Sequence, residues 1–112
     1  MVKILRKVNE MTNKEFVEIV NKQLRLCQII LTQKGNEYGS KDDRLIQLTK
    51  HGELNGIHPA NAAWQLGCKH LVSISEMTKD PVMYPIEVWD EKITDAINYL
   101  LLIKATIVEG SL

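Results

Sequence analysis

Hydrophobic residues recur at helical spacing along most of the chain. In the first segment the apolar residues follow one another at spacings of four, four, three and four, which places them on one face of a helix; they are Phe16, Val20, Leu24, Cys27 and Leu31. Thr12 and Glu15 have the spacing of a capping box, so we expect the helix to begin just after Thr12. Gly35 is expected to end it as a C-terminal cap.

A short second helix and a long third helix are predicted next. Ser40 and Asp43 form a second capping pair, and Gly52 is expected to stop the helix that follows them. Pro59 suits the first position of the third helix, because the N–H that proline lacks would have no intrahelical partner there. Asp80-Pro81 closes that helix. The inward-facing residues are expected to be Leu45, Ile46 and Leu48, then Ala60, Trp64, Gly67, Leu71 and Ile74.

A fourth helix is predicted from Pro85 to about Glu109, with Gly110 as its end. Only residues 4–8 resemble a strand, and one strand cannot make a sheet. The 112 residues fit one domain of ordinary size. We therefore predict a single all-α domain over residues 1–112, with a basic N-terminal arm at 1–11. Its fold is expected to be four-helix bundle-like, with three long helices and one short one.

The fourth helix is apolar over most of its circumference. A helix of this kind is buried on several sides, and in a chain this short the extra sides indicate another subunit. A homo-oligomer is therefore expected, and the alternative is a helix that lies at the centre of its own monomer. The side chains that cannot all face one small core are Ile97, Leu100, Leu101, Leu102, Ile103 and Ile107.

Charge and cysteine content restrict the partners and the cellular location that we expect for the chain. Fourteen Lys and Arg balance fourteen Asp and Glu, so the chain lacks the net positive field that extended nucleic acid would require. Cys27 and Cys68 lie in apolar-periodic segments, which is typical of buried reduced thiols and favours a cytoplasmic location. The strongly apolar run at 99–103 is far shorter than the roughly 20 residues of a membrane span. No membrane partner is expected.

A polar stripe runs along the fourth helix. Glu91, Asp95 and Asn98 follow one another at spacings of four and three, which places them on one face. Hard oxygen ligands on one face are what Mg²⁺, or a complex of Mg²⁺ with nucleotide phosphates, requires. The alternative is a solvated stripe near the start of a helix, where acidic side chains complement the macrodipole. Spacing alone favours that alternative.

Four short stretches carry a resemblance to a known group of proteins. They are KGNEYG at 34–39, DRL at 43–45, KHL at 69–71 and EKITDAINYL at 91–100. In this order they resemble small phage and prophage helical proteins that are similar to the all-α nucleoside triphosphate pyrophosphatases, of MazG-like and dimeric dUTPase types, and to the nucleotide-modification-associated domains. The resemblance covers roughly residues 25–108. Its most specific part resembles the family's Glu-x-x-x-Asp helix with a following Tyr-Leu run.

The resemblance implies a nucleotide site and a reaction. The reaction would be Mg²⁺-dependent hydrolysis of a (d)NTP to the monophosphate and pyrophosphate, in the cytoplasm of the host cell, with a carboxylate-oriented water attacking the α-phosphorus. Asp95 and Glu37 would be the catalytic carboxylates. By the same resemblance the metal ligands would be Glu91, Asp95, Glu37 and Asp42, the phosphate contacts Lys34, Arg44 and Lys69, the base or sugar contact Tyr38, and a further ligand contact Asn98.

One departure from the family pattern bears on catalysis. The pyrophosphatases carry a Glu-x-x-Glu pair on the helix before the Glu-x-x-x-Asp helix, and this chain has Asn61 and Trp64 at that spacing. Lys92 also stands where many relatives have a second acid. Two alternatives therefore stay open. One is a non-catalytic phage accessory protein that binds a nucleotide, a nucleotide messenger or a host protein, and the other is a structural helical oligomer.

Overall fold

The computed structural model describes residues 10–38 and 43–110, and all regular structure in those two ranges is helical. The all-α prediction, with three long helices and one short one, is confirmed for these ranges. The segment at 4–8, which resembles a strand, lies outside them. The elements are α1 (Asn13–Tyr38), α2 (Ile46–Asn55), α3 (Pro59–Met77), a 3₁₀ turn (Pro81–Met83) and α4 (Ile86–Gly110).

The predicted capping box fixes the start of α1. The Glu15 N–H donates to Thr12 Oγ1 at 3.1 Å, and the Thr12 N–H donates to Glu15 Oε1 at 3.2 Å. This reciprocal pair satisfies two backbone donors that have no partner within the helix. Of the second predicted pair, Asp43 accepts a hydrogen bond from the Leu45 N–H at 3.0 Å, and Ser40 lies outside the described residues.

Gly35 does not end α1, so that prediction is wrong. The helix continues through Gly35 to Tyr38. A Cβ atom on Gly35 would lie 2.9 Å from Nε of Arg44, which reaches α1 from the segment before α2. Gly35 is therefore explained by the close approach of the Arg44 side chain and not by a left-handed helix end.

The prediction at Gly52 is corrected for a similar reason. The predicted end of α2 at Gly52 is wrong, because α2 continues to Asn55 and is capped by Gly56 at a φ of 65°. A Cβ on Gly52 would lie 2.6 Å from the carbonyl oxygen of Ile57. The chain folds back against the helix at this point, and only glycine leaves room for it.

The start of α3 agrees with its prediction, but its inner face does not. Pro59 is the first residue of α3, and the His58 side chain accepts a hydrogen bond from the Ala60 N–H at 3.0 Å. Two large residues of the predicted inner face, Trp64 and Leu71, are 45% and 37% exposed. The buried residues of α3 are Ala62, Ala63, Gly67 and Met77.

Small residues line α3 because α3 and α4 approach each other closely. A Cβ atom on Gly67 would lie 2.5 Å from Cβ of Tyr99, which is far inside van der Waals contact. The hydrophobic core lies where α2, α3 and α4 meet, and α3 and α4 share the most extensive contact. The core consists of Leu45, Leu48 and Ala63, with Leu66, Leu102, Ile103 and Ala105 packed against them.

One hydrogen bond between side chains and one from a side chain to the backbone join α1 to α4. Nε2 of Gln23 donates to Oγ1 of Thr94 at 2.7 Å, and Nδ2 of Asn98 donates to the carbonyl oxygen of Cys27 at 3.4 Å. Both pairs are separated by 71 residues, so α1 and α4 run in the same direction. Cys27 is buried, Cys68 is half-buried, and both are free thiols.

Large apolar surfaces stay uncovered in the single chain. Every residue from 10 to 22 is exposed, including much of the stripe that predicted α1. As predicted, the core does not cover all the apolar side chains of α4. The half-exposed ones on the two helices include Phe16, Val17, Ile19, Val20, Leu24, Leu100, Leu101, Ile107 and Val108. None of the described helices combines the length and the apolar content that crossing a membrane requires.

Candidate functional site

A cleft of about 550 Å³ opens between α1, α2 and α4. This volume falls within the range of about 300–1,000 Å³ that is typical of small-molecule sites. Three cations line the cleft, and the polar groups among its lining residues include an imidazole, a carboxylate and an amide. The cations are Lys34, Arg44 and Lys50, and the three polar groups belong to His51, Asp95 and Asn98.

Four of the residues predicted to form a site come together here. Lys34 comes from α1, Arg44 from the turn before α2, and Asp95 and Asn98 from α4. The Arg44 guanidinium lies against α1, where its Nη2 donates to the carbonyl oxygen of Leu31 at 3.3 Å. Gly35 makes this position accessible, because any side chain there would meet Arg44. Arg44 is thus held at the wall between α1 and α2.

Three other predicted site residues are not brought into the cleft. Glu37, Lys69 and Glu91 are exposed and do not line it. Asp42 lies outside the described residues, and Tyr38 contributes its backbone to α1 without a described side chain. No prediction about Asp42 or the Tyr38 ring is tested.

The described residues do not fit a resident Mg²⁺ ion. Within residues 10–38 and 43–110, no three Asp, Glu, His or Cys side chains lie close enough together to hold a metal ion. Asp95 is the one carboxylate among the described residues that line the cleft. A hard divalent cation needs several oxygen ligands around it, so we assign no chemical step through a metal.

His70 of α3 lies beside Asp95 and against the ring of Tyr99, both on α4. The rings of His70 and Tyr99 stack with centroids 5.6 Å apart and an angle of 24° between their planes. Nδ1 of His70 lies 3.8 Å from Oδ2 of Asp95, which is beyond hydrogen-bonding distance. Burial lowers the pKa of His70, the Asp95 carboxylate opposes that shift, and Lys69 and Lys92 add to it. A neutral His70 therefore does not compensate a charge on Asp95.

Asn98 is a buried amide that lines the cleft. The residue is 5% exposed, and its Nδ2 donates to the carbonyl oxygen of Cys27 at 3.4 Å. Its Oδ1 has no hydrogen-bond partner among the described residues. A buried acceptor without a partner costs about 1–3 kcal/mol of stability. Most buried polar groups in native proteins are paired, so this oxygen requires an explanation.

Sequence reasoning missed Lys50, His51 and Tyr99, which also line the cleft. The signal for His51 was present in the spacing along α2, where Gln47, His51 and Leu54 follow one another at four and three residues. That spacing places them on one helical face. Tyr99 had no such signal, because its position depends on the close packing of α4 against Gly67.

Comparison of the chain with protein-family models, with curated proteins and with solved structures finds no match. The resemblance to MazG-like and dUTPase-like pyrophosphatases therefore stays a prediction. The function has to be argued from the cleft and its side chains.

Proposed function

We propose that this protein binds a phosphorylated small molecule, a nucleotide or a nucleotide-like compound, in the cleft between α1, α2 and α4. The supporting observation is the convergence of Lys34, Arg44 and Lys50 on one cleft that contains a single described carboxylate, Asp95. The chain as a whole carries equal numbers of acidic and basic residues. A local excess of cations in a neutral chain favours an anionic ligand.

The cations differ in what they offer a phosphate. Arg44 uses one N–H on the Leu31 carbonyl, and its guanidinium has further donors in a fixed plane that suits two phosphate oxygens. Lys50 is exposed on α2 and supplies a mobile point charge. His51 follows Lys50 directly and adds an imidazole to the same wall. Together they suit a group with several anionic oxygens.

The rest of the cleft suits the organic part of such a ligand. Leucine side chains from all four helices and the ring of Tyr99 form apolar walls, which is typical of sites that enclose a base or a sugar. Leu54 is 87% exposed at the cleft, and a ligand would cover part of it. The leucines are Leu31, Leu48, Leu54, Leu66 and Leu102.

Hydrolysis of a (d)NTP is a second form of the proposal, supported by the position of Asp95 beside the cations. It needs carboxylates beyond Asp95, and the described residues of one chain do not supply them. Binding without turnover, as in a phage accessory protein, needs only the residues that line the cleft. We therefore favour binding.

A ligand panel tests the proposal. Thermal unfolding is measured with nucleoside mono-, di- and triphosphates and with pyrophosphate, with and without Mg²⁺, and each mixture is assayed for released phosphate or pyrophosphate. A ligand at about 100 times its Kd stabilises the native state by about 2.7 kcal/mol, which raises the Tm by roughly 10 °C in a domain of this size. Stabilisation without turnover supports binding, and turnover supports hydrolysis. No stabilisation by any phosphate compound at millimolar concentration contradicts both.

A further inference from the structure

The orientation of the Asn98 side-chain amide is fixed by its hydrogen bond, so its unpaired atom is the oxygen. The carbonyl of Cys27 only accepts hydrogen bonds, so it holds the NH₂ group of the Asn98 side chain towards α1. A flipped amide would bring two carbonyl oxygens together. The group that remains without a partner among the described residues is therefore an acceptor, and it is covered in this structure. Asn98 is one of the residues that line the cleft, so a ligand donor reaches Oδ1 when the side chains around it move.

The neighbouring donor on α1 is already engaged. Nε2 of Gln23 donates to Oγ1 of Thr94 at 2.7 Å and lies 3.4 Å from Sγ of Cys27. The bond from Asn98 to Cys27 is itself long, at 3.4 Å. This weak bond to α1 does not by itself explain why a polar side chain occupies a position that is 95% buried.

We infer that Asn98 is a specificity-determining residue whose Oδ1 accepts a hydrogen bond from the non-phosphate part of the ligand. The inference rests on the proposed function and narrows it. The ligand must carry anionic oxygens for the wall formed by Arg44 and Lys50, and also an N–H or O–H donor for Asn98. A nucleotide has both kinds of group, through its phosphates and through its base or sugar. Inorganic polyphosphate has no such donor beyond its own oxygens.

Calorimetric titration of the wild type tests this with five probes: pyrophosphate and the diphosphates of adenosine, guanosine, cytidine and uridine. We expect at least one nucleoside diphosphate to bind ten-fold or more tightly than pyrophosphate. The Asn98→Leu variant should reduce that ratio to about two or less and leave the affinity for pyrophosphate within two-fold of wild type. Leucine has the same number of side-chain heavy atoms and the same branching as asparagine, and it offers no acceptor.

Thr94→Val is the matched control. Thr94 is buried on α4 one turn before Asn98 and bonds to Gln23, but it does not line the cleft. This variant should lower stability and leave the ratio of nucleotide to pyrophosphate affinity unchanged. If Asn98→Leu does not fold, the comparison is made on the wild-type protein, with analogues of the tightest nucleotide that lack one base or sugar donor each. One of them should bind at least ten-fold more weakly.

The outcomes separate the inference from the proposed function. Pyrophosphate that binds as tightly as every nucleotide overturns the inference and leaves the anion site standing. An equal loss of pyrophosphate and nucleotide affinity in Asn98→Leu shows a structural role, and it also overturns the inference. If neither pyrophosphate nor any nucleotide binds, the proposed function itself fails.

Discussion

We expect His70 to make the stability of the protein depend on pH. Its side chain is 12% exposed, lies 3.8 Å from Asp95 and stacks on Tyr99. Burial lowers its pKa below the ordinary value of 6.5. A proton therefore binds the unfolded chain more tightly than the folded chain, so the contribution of His70 to stability is complete above about pH 6.5. It declines as the pH falls towards the folded pKa.

We accordingly expect the urea concentration at the midpoint of unfolding to decrease when the pH is lowered from 7.5 to 5.5. His70→Gln, which cannot titrate in this range, should show a smaller decrease over the same interval, whatever its midpoint at pH 7.5. Urea titrations at four pH values measure both slopes. Equal slopes for the two proteins would show that His70 is not the group responsible.

Lys50 is the residue with which the anion site is best tested. It is exposed on α2 and lines the cleft, so Lys50→Gln removes a charge without opening the core. Exposed charge pairs contribute about 0.2–1 kcal/mol, so the Kd for the tightest phosphate ligand should rise about 1.4- to five-fold. Lys104→Gln, on the exposed side of α4 away from the cleft, is the control and should bind as the wild type does. If both variants bind equally well, Lys50 does not contact the ligand.

At the level of elements, α3 and α4 approach each other closely at Gly67 and Tyr99. A Cβ at Gly67 would lie 2.5 Å from Cβ of Tyr99, and neither atom can move without moving its helix. Gly67→Ala should therefore force α3 and α4 apart and destabilise the protein by about 1–3 kcal/mol. Denaturant titration measures the loss.

The matched control for Gly67→Ala is Gly110→Ala at the end of α4, where no neighbour among the described residues lies within 4 Å of the new methyl group. This change should be neutral or slightly stabilising, because alanine favours the helix more than glycine does. If both variants have the same stability, the contact between Gly67 and Tyr99 does not limit the packing of α3 on α4.

The helices were predictable where their signals are local. The Thr12–Glu15 box and Pro59 act within three residues of a helix start, so the sequence alone locates those starts. Gly35 and Gly52 were misinterpreted because the groups that require glycine there arrive from elsewhere in the chain, namely Arg44 and the Ile57 carbonyl. Local reasoning cannot distinguish a glycine that caps a helix from one that admits a neighbour.

The site was predictable in part for a similar reason. Spacing places Glu91, Asp95 and Asn98 on one stripe of α4, but it does not tell which part of the stripe another helix covers. In the structure α1 contacts the stripe at Asn98, through Cys27. Asp95 and Asn98 line the cleft, and Glu91, one turn before Asp95, is exposed.

At the scale of the whole molecule, the N-terminal half of α1 makes too few tertiary contacts in a single chain to be a stable helix. Residues 10–22 are exposed throughout, and a helical segment of that length is marginal in water without tertiary contacts. Five apolar side chains of α1 are about half exposed, and covering each would contribute roughly 1 kcal/mol. A second copy that packs on the same face gains this contribution twice, because a two-fold interface uses the same surface on both chains. The five are Phe16, Val17, Ile19, Val20 and Leu24.

We therefore predict that the protein self-associates through this face of α1. Light scattering with size-exclusion chromatography should give at least twice the 12.8 kDa mass of the chain at micromolar concentrations. The double variant Phe16→Lys, Val20→Lys should shift the protein towards the monomer, and Glu18→Lys, at an exposed polar position on the opposite side of the same helix, should not. A wild type that is monomeric at 100 µM would contradict the prediction.

The parallel pairing of α1 with α4 also bears on the order in which the protein folds. Gln23 meets Thr94 and Cys27 meets Asn98 across the same 71 residues, whereas α2, α3 and α4 contact their neighbours in sequence. Closing the longer loop between α1 and α4 costs more chain entropy than closing the short ones. We therefore expect α2, α3 and α4 to pack together first and α1 to join them afterwards. Amide hydrogens of α1 should then exchange with solvent faster than those of α3 and α4. Because α1 forms one wall of the cleft, a bound ligand should slow exchange in α1 more than in α3.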